Sequence, residues 1–136
     1  MKPVLVDSNV IIDVASNDPR WGAWSVEMLR TLAEQAPLLI NPIIFAEISV
    51  GYERIELVNA LVPRDFFGRE GIPDEAAFLA AKVFRIYRSR GGTRTTPLPD
   101  FFIGAHAAVR GYRLLTRDRG RYRTYFPKLE LIAPPG

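Results

Sequence analysis

Pro3-Val4-Leu5-Val6-Asp7-Ser8-Asn9 is the stretch on which the fold is decided. Its apolar run with two β-branched residues suits a short buried strand, and Asp7-Ser8-Asn9 ends it with residues that cap helices and turn chains. Val10 to Ala15 then suits a short helix, which Asn17-Asp18-Pro19 breaks. The same pattern recurs further on. Leu38-Leu39-Ile40 reads as a second strand, and Asn41-Pro42 follows as N-cap and first helical residue, predicting a helix from Pro42 to about Gly51. Arg113-Leu114-Leu115-Thr116 predicts a third strand and Leu129-Glu130-Leu131-Ile132 a fourth, before a Pro-Pro-Gly tail.

The intervening segments read as helices. Between Trp21 and Ala36, Trp24, Met28 and Leu32 recur every four residues, one stripe of an amphipathic helix. A further helix is expected within Arg54 to Leu61, stopped at Pro63. Asp65 to Pro73 stays unassigned, because Gly68 and Gly71 interrupt any long element. Asp74 is expected to cap a helix from Glu75 to about Arg88, whose Ala, Leu, Val and Phe content predicts deep burial. Gly91-Gly92 ends it, and Thr93 to Pro99 reads as an extended loop. Asp100 is expected to cap a helix through about Arg110, ended by Gly111. Strands alternating with helices predict an α/β domain with a parallel sheet. With no repeats and no linker, residues 1–136 read as a single domain.

Composition narrows the chemistry. The 136 residues are 48% hydrophobic, which fits a globular chain. The absence of cysteine excludes disulfides, zinc-thiolate sites and thiol nucleophiles. No apolar run reaches the roughly 18 residues of a membrane span, and no signal-peptide core fits before Asp7, so a soluble cytoplasmic protein is expected. The net charge of +3 is modest, but arginines cluster at 85, 88, 90 and 94 and again at 110, 113, 117, 119, 121 and 123. Arginine forks suit phosphate oxygens, although on charge alone a solvated basic face is the favoured reading.

Four acids fall where surface charge alone does not account for them. Asp7 follows a strand, at the carboxyl edge where open parallel sheets bind ligands, although a cap would use it as well. Glu47 shares its helical neighbourhood with Ile43, Ile44 and Val50, so it is a lone carboxylate on an apolar stripe or at its solvent boundary. Asp100 opens a helix, where the dipole favours a carboxylate. Asp118 lies two residues beyond the third strand. A right-handed parallel topology could gather all four. At about 5 Å and an effective dielectric near 20, each pair would repel by about 3 kcal/mol, or about two pKa units, unless a cation compensated. All-oxygen ligands select hard ions such as magnesium or manganese.

At this point a family is recognisable. The opening from Met1 to Val10 resembles that of PIN-domain nucleases, and Ala46-Glu47-Ile48 resembles their second motif. Pro99-Asp100-Phe101-Phe102-Ile103-Gly104-Ala105-His106-Ala107 is similar to the third. Leu114-Leu115-Thr116-Arg117-Asp118-Arg119-Gly120-Arg121-Tyr122 is similar to the fourth, and Phe126 to Ile132 to the closing strand. The short chain favours the VapC-type toxins of toxin–antitoxin pairs. The resemblance implies a three-layer α/β/α fold with a parallel sheet of about four or five strands. It also implies a Mg2+ or Mn2+ cofactor, endonucleolytic cleavage of RNA, a small VapB-type antitoxin as inhibitor, and a homodimer. Arg121 departs from the pattern, standing where some members carry a further acid, which puts a second metal in doubt.

Roles follow from that resemblance. Asp7 and Asp100 are the expected main metal ligands, with Glu47 and Asp118 completing the set, and Glu47 could take a proton from the attacking water. Thr116 and Asn9 would orient ligands or water from behind. Arg117, Arg119 and Arg121 would hold the RNA backbone. His106, among Phe102, Ile103 and Val109, reads as a packed histidine rather than a general acid. Trp21 and Trp24 read as core more than as a partner contact. The rival functions are an RNA-processing nuclease of the same family without an antitoxin, and a non-catalytic RNA-binding module on the same fold. The second would predict erosion of the acids, and all four are present. A small neighbouring reading frame with a DNA-binding N-terminus and a basic tail would separate toxin from processing enzyme.

Overall fold

The computed structural model describes residues 2–135; Met1 and Gly136, at the ends of the quoted stretches, lie outside the described residues. Twelve elements follow in order: β1 (Val4–Val6), α1 (Ser8–Ala15), α2 (Gly22–Ala33), β2 (Leu38–Ile40), α3 (Pro42–Ser49), α4 (Ile55–Leu61), β3 (Phe67–Arg69), α5 (Asp74–Ser89), α6 (Pro99–Arg110), β4 (Arg113–Leu115), α7 (Gly120–Tyr125) and β5 (Leu131–Ile132). The strands form one parallel sheet in the order β3-β2-β1-β4-β5.

β1 lies at the centre. Val4 pairs with Leu38 on one side and Arg113 on the other, so β1, β2 and β4 end level with one another. Val4, Leu5 and Val6 are fully buried. A strand buried on both faces needs helices on both, which gives the three-layer α/β/α arrangement. α5 runs along α6, while α1 packs on α2 and α3, and α3 also meets α6. Each central strand therefore ends at the same edge, and the residues just past those ends are Asp7, Asn41 and Thr116.

The helix boundaries follow from local chemistry. Asn41 caps α3, its side chain accepting from the Ile44 N–H, with Pro42 in the first turn. α6 ends at Gly111, whose φ of 72° is left-handed and suits glycine.

The structure fills two gaps and corrects two expectations. Phe67–Arg69, within the unassigned 65–73, is a strand (β3) that adds an edge to the sheet. Gly120–Tyr125 forms α7, which the arginine-rich sequence did not suggest. Asp74 and Asp100 are not caps; Pro73 and Leu98 hold the cap positions, and each acid lies inside the first turn, where it still faces the positive end of the dipole. Finally, α5 is not deeply buried. Ala76, Ala80 and Val83 face the core, while Phe78 is 65% exposed and Ile86 is also outward. Among the described residues no helix is long and apolar enough to cross a membrane.

Candidate active site

Asp7 is the centre of the site and is only 4% exposed. It caps α1, with Oδ1 accepting from the Ser8 N–H at 2.8 Å. Its other oxygen, Oδ2, accepts from the Thr116 hydroxyl at 2.8 Å, the Tyr122 hydroxyl at 3.0 Å and Asn9 Nδ2 at 3.4 Å. Even with these donors its carboxyl is pushed from 3.8 up to about 6. Burial is the main cause, the Thr116 hydrogen bond opposes it, and the nearby Asp100 charge adds to it.

Glu47 reaches the site from α3. It is half-buried, and Oε1 accepts from the Ser8 hydroxyl at 2.8 Å. Burial raises its pKa, the Ser8 hydrogen bond opposes this, and the Asp100 charge adds to it. Its supposed apolar neighbour Val50 points to solvent, so Glu47 lies at the boundary of the stripe rather than within it. Asp100, in the first turn of α6, is also raised. Burial leads, the Arg121 charge opposes it, and the Asp118 charge adds to it. Arg121 Nη1 stands 3.7 Å from Asp100 Oδ2. Asp118 is exposed, and its Oδ1 accepts from the Gly120 N–H at 3.2 Å, at the start of α7.

The four acids predicted from sequence thus lie in one electrostatic neighbourhood at the carboxyl edge of β1 and β4. They are not packed into a closed cage. Among the described residues no three acids or histidines are gathered tightly enough to enclose an ion. Ser8 holds Glu47, Arg121 draws on Asp100 and the α7 backbone holds Asp118. The donor chemistry fits a hard cation: every candidate ligand is a carboxylate oxygen, and three of the four are raised by burial and by each other. Asp7 is already specific in direction. Three donors crowd Oδ2, whereas Oδ1 has one and keeps a lone pair for a ligand.

Thr116 and Asn9 lie against Asp7, and they also bond each other at 3.2 Å. The Asn9 Oδ1 takes the Arg117 N–H, tying the end of β4 to α1. Arg117 departs from its expected role. Its fork grips the buried Asp13, Nε at 2.7 Å and Nη2 at 3.2 Å, instead of standing free for phosphate. Asp13 was absent from the sequence argument because its partner lies 104 residues away. Tyr122 was missed too. Its spacing of four from Asp118, across a helix start, was the available signal. Ser8 was passed over as a turn residue.

His106 is fully buried and lies apart from the acids. Nδ1 faces Asn41 Nδ2 at 3.0 Å and so accepts, because Asn41 gives its oxygen to the Ile44 cap; Nε2 then donates to Glu70 at 2.7 Å. Trp24 packs on the core. Trp21 lies beneath the Arg20 guanidinium, 4.8 Å from its ring centre.

Comparison with known proteins adds the family. A family model described as PIN domain matches residues 4–127. Similar solved structures include VapBC2 from Rickettsia felis bound to a promoter DNA fragment, at 16% identity and TM-score 0.75, covering 98% of this chain and 99% of that one. DNA-bound VapBC from Salmonella typhimurium aligns at 20% identity and TM-score 0.70 over 98% of each chain. A toxin–antitoxin complex from Klebsiella pneumoniae aligns at 21% identity and TM-score 0.62 over 95% of each. No curated protein matches the sequence significantly.

Proposed function

We propose that this chain, which belongs to the PIN domain family, is a Mg2+- or Mn2+-dependent endoribonuclease that acts in the cytoplasm as the toxin of a toxin–antitoxin pair. The family is one of nucleases that generally use divalent metals. The observation that carries the reading is Asp7: a buried carboxylate, raised to about 6, with three donors on one oxygen and one on the other, within the influence of the Asp100 and Glu47 charges. A purely structural acid would be paired with a base, as Asp13 is with Arg117.

In this reading Asp7 and Asp100 would hold the ion, with Glu47 and Asp118 completing its surroundings. When bound, the ion supplies an acidified water and neutralises charge on the phosphate. Glu47 takes the water's proton, a role that suits a half-buried carboxylate with a raised pKa. Ser8 keeps Glu47 pointed inward. Thr116, Asn9 and Tyr122 fix the plane of the Asp7 carboxylate. Arg119 and Arg121 would meet the RNA backbone, Arg121 from its place 3.7 Å from Asp100.

The likeness to toxin–antitoxin complexes supports a small antitoxin as partner. An open groove of about 750 Å3, lined by Val26, Leu29, Leu61 and Phe66, suits the apolar face of a partner helix. A second copy of the chain is the other proposed partner, with the exposed Phe78 and Ile86 of α5 as an apolar face for it.

The test is cleavage-site mapping of cellular RNA after brief induction, beside Asp7→Ala and Asp100→Ala. New cuts that vanish in both variants, with the variants' circular dichroism unchanged, are the expected result. Identical cuts in wild type and Asp7→Ala would falsify the ribonuclease assignment.

A further inference from the structure

A second pocket opens at the same edge of the sheet, past β2 and β3. It encloses about 480 Å3 and is lined by Asn41, Phe45, Asn59, Arg64, Arg69 and Glu70, among others. We propose that this pocket is a subsite for the substrate strand, holding a phosphate and the nucleotide attached to it beside the one that is cut. The proposal rests on the ribonuclease reading above.

The charge in the pocket is unbalanced. Glu70, the one acid lining it, is already taken by His106, Tyr112 and Arg110. Arg64 has no carboxylate partner among the described residues, and its side chain belongs to the pocket wall. Arg69 is fixed: its fork donates to the Phe67 carbonyl at 2.9 Å and the Val62 carbonyl at 2.7 Å, and it stands 5.7 Å from the Phe45 ring centre. Burial first, and the Arg64 charge second, disfavour its cationic form. Two guanidinium groups at one opening, one rigid and one free, suit an anion with several oxygens. Phe45 and Asn59 add an aromatic face and an amide, which together suit a base.

Position points the same way. Ala46 lines this pocket and Glu47 faces the acids, on adjacent faces of α3, so the two sites lie within one helix diameter, about 10 Å. Pro42 and Ala46, on the pocket's α3 side, are exposed. A strand crossing α3 there would bring a neighbouring phosphate to Arg64.

The test is fluorescence anisotropy of the full chain with a labelled, non-cleavable 2′-O-methyl RNA oligonucleotide across a salt series. Arg64→Glu is expected to weaken binding about tenfold and to flatten the salt dependence by about 0.7 in log–log slope, the value for one single-strand phosphate. Arg64→Gln should move both quantities the same way by less. Lys128→Glu, ahead of β5 at the opposite edge, makes the same charge change and should leave both in place. Unchanged binding in Arg64→Glu, or equal losses in Arg64→Glu and Lys128→Glu, overturns the subsite and leaves the ribonuclease reading standing. A wild-type chain that binds no RNA ends both.

Discussion

The two oxygens of Asp7 have different tasks. Oδ2 receives Thr116, Tyr122 and Asn9; Oδ1 receives only the Ser8 N–H. Tyr122 is the most telling of these donors because its buried hydroxyl serves two of the acids, donating to Asp7 at 3.0 Å and also acting on Asp100. It is 2% exposed, and burial together with the acids around it raises its pKa well above the ordinary value, so it remains a donor at any pH at which the protein works. Tyr122→Phe keeps the ring and removes the hydroxyl that Asp7 and Asp100 share. Metal-site studies put the loss from such a supporting contact at about 10-fold to 100-fold in metal affinity or activity. Calorimetric titration with Mn2+ should show a weakening in that range while the variant stays folded. An unchanged affinity would mean that Tyr122 merely fills space.

At the scale of elements, α6 shows how tightly the site is braced. Gly104 lies on its buried face, and a Cβ there would come within 2.5 Å of the Phe126 ring. That ring, at the end of α7, therefore closes directly on the α6 backbone, one turn from Asp100. Gly104→Ala gains helix propensity of about 1 kcal/mol but overpacks a core contact, at a typical cost of about 1–3 kcal/mol. A lower midpoint in thermal or urea unfolding is expected; a higher one would show that Phe126 moves freely. The same elements mark what was legible in sequence. β1, β2 and β4 carried their own apolar runs, so the central strands and the acids after them could be read directly. β3 could not: Phe67-Gly68-Arg69 has no strand pattern and forms only because β2 offers a parallel edge. α7 was hidden by its arginines, and with it Tyr122. The Asp13–Arg117 pair was invisible for a related reason, since a local pattern says nothing about partners brought together by the sheet. Caps were misread by a residue or two at Asp74 and Asp100, where Pro73 and Leu98 already had the extended backbone that a cap requires.

Across the whole molecule, the acid edge works against folding when no cation is bound. Asp7 in the folded chain titrates at about 6, against an ordinary 3.8. Between those values the folded state holds a proton that the unfolded state has released. Stability rises with pH only where the unfolded state binds more protons, so here it falls as pH climbs from about 4 to about 6, and stays reduced above that. A shift of this size corresponds to about 3 kcal/mol at most. Glu47 and Asp100 are raised as well and act in the same sense. Chelator-treated protein should therefore melt at a higher temperature at pH 5 than at pH 7.5. Mn2+ should reverse the order, because a ligand at a hundred times its Kd stabilises by about 2.7 kcal/mol where the carboxylates are ionised, and by much less where Asp7 keeps its proton. Asp7→Asn should flatten the pH dependence and abolish the Mn2+ shift together. Differential scanning fluorimetry at the two pH values, with and without Mn2+, measures all of this. A Mn2+ shift of equal size at both would mean that the ion binds elsewhere than at the buried carboxylate.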